Sequence, residues 1–442
     1  MALVHPVIVV PGITANYLDD RYTLPPETIW SVLSKAYERA ALHPDNAPDK
    51  FQYESVEPAL VRPGQLFEIA YKELIEELRY NLREKEDKPV SVYPFSYDWR
   101  QPLDLAARAL ADFVDEVIER TKLIRDYDRA GYADDPKVNL IGHSMGGIVI
   151  AHYLDQARQK AKVDRVVSLA TPFRGSFEAV IKVTTGTAGL GSSAPSSRER
   201  EAARTTPALY HLFPDIDDAV IVDDPAIPKD LFDPAAWQPS IVDTIKEYIR
   251  LHGLTPANRE EQAPKLFAAL LAAARAARAR VNAFRLPMAG LTPDRWLCIV
   301  GVDSETRVRI RITKSGKNPE FDFKNSDRAN LWNNPDVAPA RHVETGDGTV
   351  PLLGALPAFL PREKIVCIRP SDFGYWELAD KAALAVGGFH GILPNMNMLH
   401  RMIVRYFKNR SDTRENTWGR PVPGVDRAAW DPPLRGKLEF KE

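Results

Sequence analysis

Cysteine is nearly absent: the 442 residues hold two, Cys298 and Cys367, each inside an apolar run. That excludes a disulfide framework, reads as two buried free thiols and favours a reducing compartment. No apolar run reaches the length of a membrane-spanning helix. The opening MALVHPVIVVPG passes straight into an apolar strand, with neither a basic leader nor a signal-length apolar segment. The expectation is a soluble, cytoplasmic chain, with export by a signal-less route left open. An excess of either charge is also missing. The chain has 58 basic and 60 acidic residues and a net charge of -2, which gives no footprint for nucleic acid. No H-E-x-x-H, C-x-x-C or paired-histidine cluster offers a metal site, and no glycine-rich phosphate loop stands in a strand–turn–helix context. No metal or cofactor is expected, and no internal repeat is seen.

What the chain does have is the stretch Lys137–Ile150, KVNLIGHSMGGIVI, an apolar strand, a tight turn and an apolar helix. At its centre Gly142-His143-Ser144-Met145-Gly146 is a G-x-S-x-G pattern. Glycines on either side let strand and helix approach closely around a strained serine, which aims the Ser144 hydroxyl out of a sheet with the Met145 N–H beside it. A serine hydroxyl is a weak nucleophile by itself. It needs a histidine base, an acid to orient that base, and donors for the oxyanion. A chance G-x-S-x-G is common; this one sits in the context that the chemistry requires.

Around the elbow the chain alternates strand and helix. Pro6–Val10 reads as a buried strand ending in Pro11-Gly12, and Ile13 just beyond is the candidate for the second oxyanion N–H. Gln65–Arg83 has the spacing of an amphipathic helix. Val90–Tyr93, Leu103–Arg125, the elbow and Arg165–Ala170 continue the alternation, which argues an α/β fold with a parallel, doubly wound sheet. Leu18–Pro63 reads as irregular around one helix, Trp30–Leu42. The stretch Pro94–Arg100, PFSYDWR, lies at a strand's carboxyl end, where Tyr97 and Trp99 could line a substrate cleft. The plainer reading has Asp98 and Arg100 bracing the next helix.

From Thr171 to about Asp294 no strand pattern is found. Ser240–Leu251 and Ala263–Phe284 read as helices of a cap inserted over the site. The second carries Arg275, Arg278 and Arg280 off its apolar face, so it either touches a lipid surface or packs as a lid on the core. Strands return at Trp296–Val300 and Lys364–Ile368, with a hairpin of Arg307–Thr313 and Glu320–Lys324 between them. Leu384–Ile392 reads as a glycine-rich loop and Pro394–Phe407 as a helix. The expected division is a hydrolase core in two parts, 1–171 and 295–407, a cap over 172–294 and a polar extension over 408–442.

The α/β-hydrolase order is serine, acid, histidine. Of the nine histidines seven, His342 the last of them, precede the likely acid, which leaves His390 and His400. His400 falls within a helix, whereas His390 lies in GGFHG and is the choice for the base. Two carboxylates compete for the acid. Asp303 directly follows a strand, while Asp347 stands in Gly346-Asp347-Gly348-Thr349-Val350-Pro351, whose glycines permit a tight turn. Loop chemistry favours Asp347.

Five segments in one order, PVIVVPG, YPFSYDWR, LIGHSMGG, ATPFRGS and TGDGTVP, closed by a late FHG, resemble the lecithin:cholesterol acyltransferase family, which includes the lysosomal phospholipase. The resemblance runs from about Pro6 to Phe407. It implies an α/β-hydrolase fold with a cap and lid, and acyl-ester chemistry on lipids with transfer to water or an alcohol. It implies Ser144 as nucleophile, Asp347 as acid, His390 as base, and the backbone N–H groups of Ile13 and Met145 as oxyanion donors. The implied partner is a lipid acyl ester, with transient membrane contact through the cap. The chain departs from the family's secreted members in having no signal peptide and no disulfide-closed lid loop, and Asp20–Pro63 matches no family pattern. A serine esterase or amidase acting on a soluble ester therefore stands beside the lipid reading. A non-catalytic binding protein stands behind both, since an idle site has no need of all three residues.

Overall fold

A computed structural model describes residues 3–31, 37–44, 59–86, 88–187, 195–374 and 384–441. Six strands form the central sheet: β1 (Val7–Val10), β2 (Val92–Pro94), β3 (Val138–His143), β4 (Val163–Leu169), β5 (Trp296–Gly301) and β6 (Ile365–Ile368). Their spatial order is β6-β5-β4-β3-β1-β2, and every pairing is parallel. The strands are short and rich in valine and isoleucine, and nearly every residue in β1, β3, β5 and β6 is buried. This is the signature of a sheet covered on both faces.

The covering helices separate by the two-residue period of the strands. Val7, Val9, Ile141, Ile299 and Val366 face α1 (Glu68–Leu82) and the late helix Asn397–Phe407. Ile8, Val10, Leu140, Val300 and Ile365 face α2 (Leu103–Lys122), α3 (Met145–Ala157) and the cap. Chain order puts β2 on one side of β1 and β3 on the other, so the direction of winding reverses between β1 and β3. Ligands of open α/β sheets bind outside the carboxyl ends at that reversal. Pro11-Gly12 and Ser144 both stand there, immediately after β1 and β3.

The cap follows β4. It contains α4 (Phe177–Thr185), α5 (Ser197–Thr205), α6 (Ser240–His252) and α7 (Arg259–Ala283). The helix α7 packs on α6 and on α3, with Phe267, Leu270, Leu271 and Val281 buried. Its arginines are taken by protein. Arg275 pairs with Asp230 at 2.6 Å, Arg280 pairs with Asp104, and Arg278 is buried.

Three segments differ from their sequence expectations. The first is Leu18–Pro63, read as irregular. Asn16–Asp20 is the middle strand of an antiparallel sheet with Glu27–Trp30 and Val61–Leu66. Charged residues alternate with buried ones there, and Pro63-Gly64 falls at a register shift, so the pattern is masked. The helix expected over Trp30–Leu42 lies partly outside the described residues; Tyr37–Ala40 is helical. The second is the cap, which was expected to lack strands. Val220–Val222 pairs in parallel with Ile310–Ser315, itself hairpinned to Asn318–Asp322. Three residues carry too little periodicity to reveal a strand whose partner is distant. The third is Leu384–Ile392, expected as a loop. It is α8, a helix interrupted at Gly388, where φ is +60° and ψ is -176°, a conformation open to glycine. α9 (Asn397–Phe407) follows.

The last residues add to the edge of the sheet. Arg420 exchanges backbone hydrogen bonds with Cys367 of β6, and its buried guanidinium makes a paired contact with Asp372 at 2.6 and 3.0 Å. Trp418–Gly419 pairs with Glu439–Phe440 outside it. Cys298 and Cys367 are buried, free and on neighbouring strands, and burial pushes the Cys298 thiol up to about 12.

Candidate active site

Ser144 follows β3 directly and precedes the first residue of α3, with φ 54° and ψ -129°. A side chain is rarely held there, and the surrounding packing imposes it. A Cβ on Gly142 would stand 2.6 Å from the Gly147 backbone, and one on Gly146 would run into the carbonyls of Val10 and Pro11. The glycines are thus required by how closely α3 approaches β3 and β1. Met145 opens α3, so its N–H is among the first donors of a 13-residue helix, which have no intrahelical partner.

Asp347 sits beyond the end of β5, its side chain against Gly301. The carboxylate is 1 % exposed and fully engaged. Oδ1 accepts from the N–H groups of Thr349 at 2.9 Å and Val350 at 2.7 Å. Gly348, at φ +92°, permits the turn that brings them round. Oδ2 accepts from His390 Nδ1 at 2.7 Å, and His390 Nε2 lies 2.9 Å from Ser144 Oγ. His390 comes from α8, two residues past the break at Gly388, and its own N–H reaches the Asp347 carbonyl at 3.2 Å. Ser144, His390 and Asp347 therefore form one hydrogen-bonded line, although they are far apart in the chain. Asp303 stays outside it. Its φ is +63° and its carboxylate accepts from Asn330 at 3.0 Å. His400 is buried within α9 with Nε2 on the Pro394 carbonyl.

Gly12 abuts the serine: a Cβ there would meet Ser144 Cβ at 2.9 Å. Ile13, the residue after it, is half-buried. Tyr97 and Trp99 correct their expectation as cleft walls. Both are buried, at 2 and 5 % exposure. Tyr97 donates to the Pro11 carbonyl at 3.0 Å, and Trp99 Nε1 donates to the Asn16 carbonyl at 3.3 Å and packs on Trp30. They hold the loop after β1 from behind, because aromatic rings with one polar atom fill a buried gap while satisfying a carbonyl. Asp98 and Arg100 brace one another at 2.7 Å, and Arg100 also donates to the Ala40 carbonyl at 2.8 Å.

The remaining motif segments meet around this line. Thr171 packs against Gly147, Arg174 N–H donates to the Gly354 carbonyl at 2.7 Å, and Ser176 Oγ donates to the Thr349 carbonyl at 2.6 Å.

Two residues escaped the sequence reading. His143 Nδ1 is 2.8 Å from the Tyr71 hydroxyl, and its Nε2 is 3.0 Å from the His390 carbonyl. The Tyr71 hydroxyl also accepts the Gly12 N–H at 3.0 Å. Burial above all, and then the neighbouring His390, depress His143 to about 3, so it is neutral at working pH. Burial likewise raises Tyr71. The available signal was a tyrosine on the apolar stripe of α1, whose hydroxyl must find a partner once buried. Among the described residues no group of three or more metal-ligating side chains is found, and no helix is long and apolar enough to cross a membrane.

A family model described as lecithin:cholesterol acyltransferase matches residues 63–250. Among solved structures, one from a Tle4–Tli4 complex is similar with a TM-score of 0.50 and 15 % identity, over 80 % of this chain and 89 % of that one; at that identity the likeness concerns the fold. The phospholipase PlaB from Legionella pneumophila, solved with thio-NAD, aligns with a TM-score of 0.22 and 14 % identity, over 52 % of this chain and 39 % of that one. No curated protein sequence matches significantly.

Proposed function

From the premise that this is a lecithin:cholesterol acyltransferase-like chain on an α/β-hydrolase fold, we propose a lipid acyl hydrolase or acyltransferase that works through an acyl-enzyme on Ser144. The observation that carries the reading is His390 placed between the Asp347 carboxylate at 2.7 Å and the Ser144 hydroxyl at 2.9 Å.

In this reading Ser144 Oγ attacks an acyl carbonyl while His390 Nε2 takes its proton. Asp347 holds the imidazole with Nδ1 protonated and stabilises the imidazolium as it forms. The N–H groups of Met145 and Ile13 receive the charge that develops on the carbonyl oxygen, and the end of α3 adds its dipole. The same proton passes from His390 to the leaving alcohol. Water or an acceptor hydroxyl, deprotonated by His390, then releases the acyl group. A buried serine at 8 % exposure favours attack in a site poor in water.

The test is release of fatty acid from mixed phospholipid and neutral-lipid vesicles, followed by mass spectrometry, with Ser144→Ala alongside. Release by the wild type and its loss, by about 10⁴-fold or more, in Ser144→Ala is expected. Equal release by both proteins would overturn the mechanism. Turnover of soluble esters alone would move the substrate assignment to small esters and leave the mechanism standing.

A further inference from the structure

Resting on that reading, we infer that Tyr71 and His143 are positioning residues which tie the loop carrying one oxyanion donor to the main chain of the base, so that both sides of Ser144 are held by one hydrogen-bond chain. The chain runs from the Gly12 N–H to Tyr71 Oη at 3.0 Å, from Tyr71 Oη to His143 Nδ1 at 2.8 Å and from His143 Nε2 to the His390 carbonyl at 3.0 Å. His390 continues it through its ring to Asp347 and Ser144.

Chemistry fixes every direction in it. The His390 carbonyl oxygen can only accept, so His143 carries its proton on Nε2. A neutral His143 then has an acceptor at Nδ1, which takes the Tyr71 hydroxyl proton. The tyrosine oxygen keeps a lone pair for the Gly12 N–H. A second proton on His143 would turn Nδ1 into a donor facing a donor and break the chain. Complete burial prevents this, and the rings of His143 and His390, 5.1 Å apart, could not both be charged at low cost.

The arrangement is more than a means of satisfying buried groups. Gly12 and His390 flank the same hydroxyl, and Tyr71 and His143 are anchored on α1 and on β3 of the central sheet, both side chains buried. Movement of the loop after β1 would carry through to the backbone of the base, and the reverse. Since misplacement of reacting groups by about 1 Å is costly, the expected consequence of cutting the chain is a loss in kcat of roughly ten- to a hundredfold. KM is expected to stay within about threefold, because the Tyr71 and His143 side chains are buried behind the serine and the loop after β1.

The experiment compares wild type, Tyr71→Phe, His143→Leu and the double variant on a short-chain p-nitrophenyl ester. An alkyl boronic acid serves as a mimic of the tetrahedral state. Fluorophosphonate labelling of wild type and Ser144→Ala is the reference for the underlying reading. The inference expects three results: each single variant loses kcat, boronate affinity falls by a similar factor, and the double variant is no worse than the weaker single one, since links of one chain do not add. Folded variants with unchanged kcat and boronate affinity but lower Tm would overturn it, as would losses that multiply in the double variant. If one single variant fails to fold, kcat and boronate affinity of the other decide by the same criteria. Absence of label on wild-type Ser144 would bring down the functional reading and this inference together. Labelled enzyme with indifferent variants would bring down the inference only.

Discussion

The rim of the sheet and the cap bury polar groups in different ways. At the rim the groups are mostly titratable side chains: Tyr71 meets His143, whose other nitrogen meets the His390 carbonyl, and the His390 ring joins Asp347 to Ser144. In the cap they are fixed cations on main-chain carbonyls. Arg204 is 4 % exposed and donates to Val183, Thr184 and Ser240 carbonyls and to Thr244 Oγ1. Arg278, equally buried, donates to the carbonyls of Phe173, His211 and Phe213. A guanidinium offers five donors in a rigid fork and stays charged, so it can gather the unpaired carbonyls at the end of α4 and around the short helix Pro207–His211. Burial lowers Arg278 only to about 10. The difference is that the rim links hydroxyl, imidazole and carboxylate side chains from several elements, whereas the cap gathers main-chain carbonyls on arginines.

That contrast can be broken at its strongest point first. Asp347→Asn keeps the volume but offers His390 Nδ1 an amide that can hold the wrong tautomer. We expect kcat to fall by on the order of 10⁴-fold with little change in Tm, measured by ester hydrolysis and calorimetry. A fall below tenfold would remove Asp347 from the mechanism. In the cap the sign of the result reverses. Arg278→Met strands three carbonyls, so stability is expected to drop by about 2–4 kcal/mol in urea unfolding, while kcat of the folded protein on a small ester stays within roughly fivefold. A large kcat loss without destabilisation would mean that the cap arginine serves chemistry after all.

The smallest effect compares the two regions by acid. His143 at the rim and His211 in the cap are both depressed to about 3, burial being the main cause for each. An unfolded chain takes up these protons near pH 6.5, and the folded protein refuses them until about 3. Their contribution to stability is therefore complete above about 6.5 and is lost as pH falls through that window, by roughly 1.4 kcal/mol per pH unit for each histidine. His211→Gln should flatten the decline between pH 6 and 4.5 by that amount and leave the rim untouched, as read by urea midpoints. An unchanged slope would show that His211 does not titrate in this way.

Much of this was legible residue by residue. The alternation of strands and helices corresponds to the parallel sheet and the helices that cover it; Asp347 is preferred over Asp303 for its flanking glycines and His390 over His400 for a loop setting, whereas His390 stands in the interrupted helix α8. Asp347 does accept from two N–H groups of its own turn, which is what glycines in GDG allow. The antiparallel sheet around Asn16–Asp20 was not legible. Its strands are half-polar and its pairing with Val61–Leu66 spans about forty residues, so no local window contains the pattern. Tyr97 and Trp99 were misread because an aromatic cluster at a strand end looks the same whether it faces a cleft or backs a loop.

The sequence by itself determined the elbow: close approach of α3 to two strands is a steric demand, and only glycines at Gly142 and Gly146 meet it. It likewise determined the parallel sheet, through runs too apolar for any but a doubly covered strand. Only the tertiary structure decided that Tyr71 and His143 belong to the site. Their contacts join residues 59, 72 and 247 positions apart. A hydrogen bond forms where folding brings a donor and an acceptor within about 3 Å, and distance along the chain carries no trace of it.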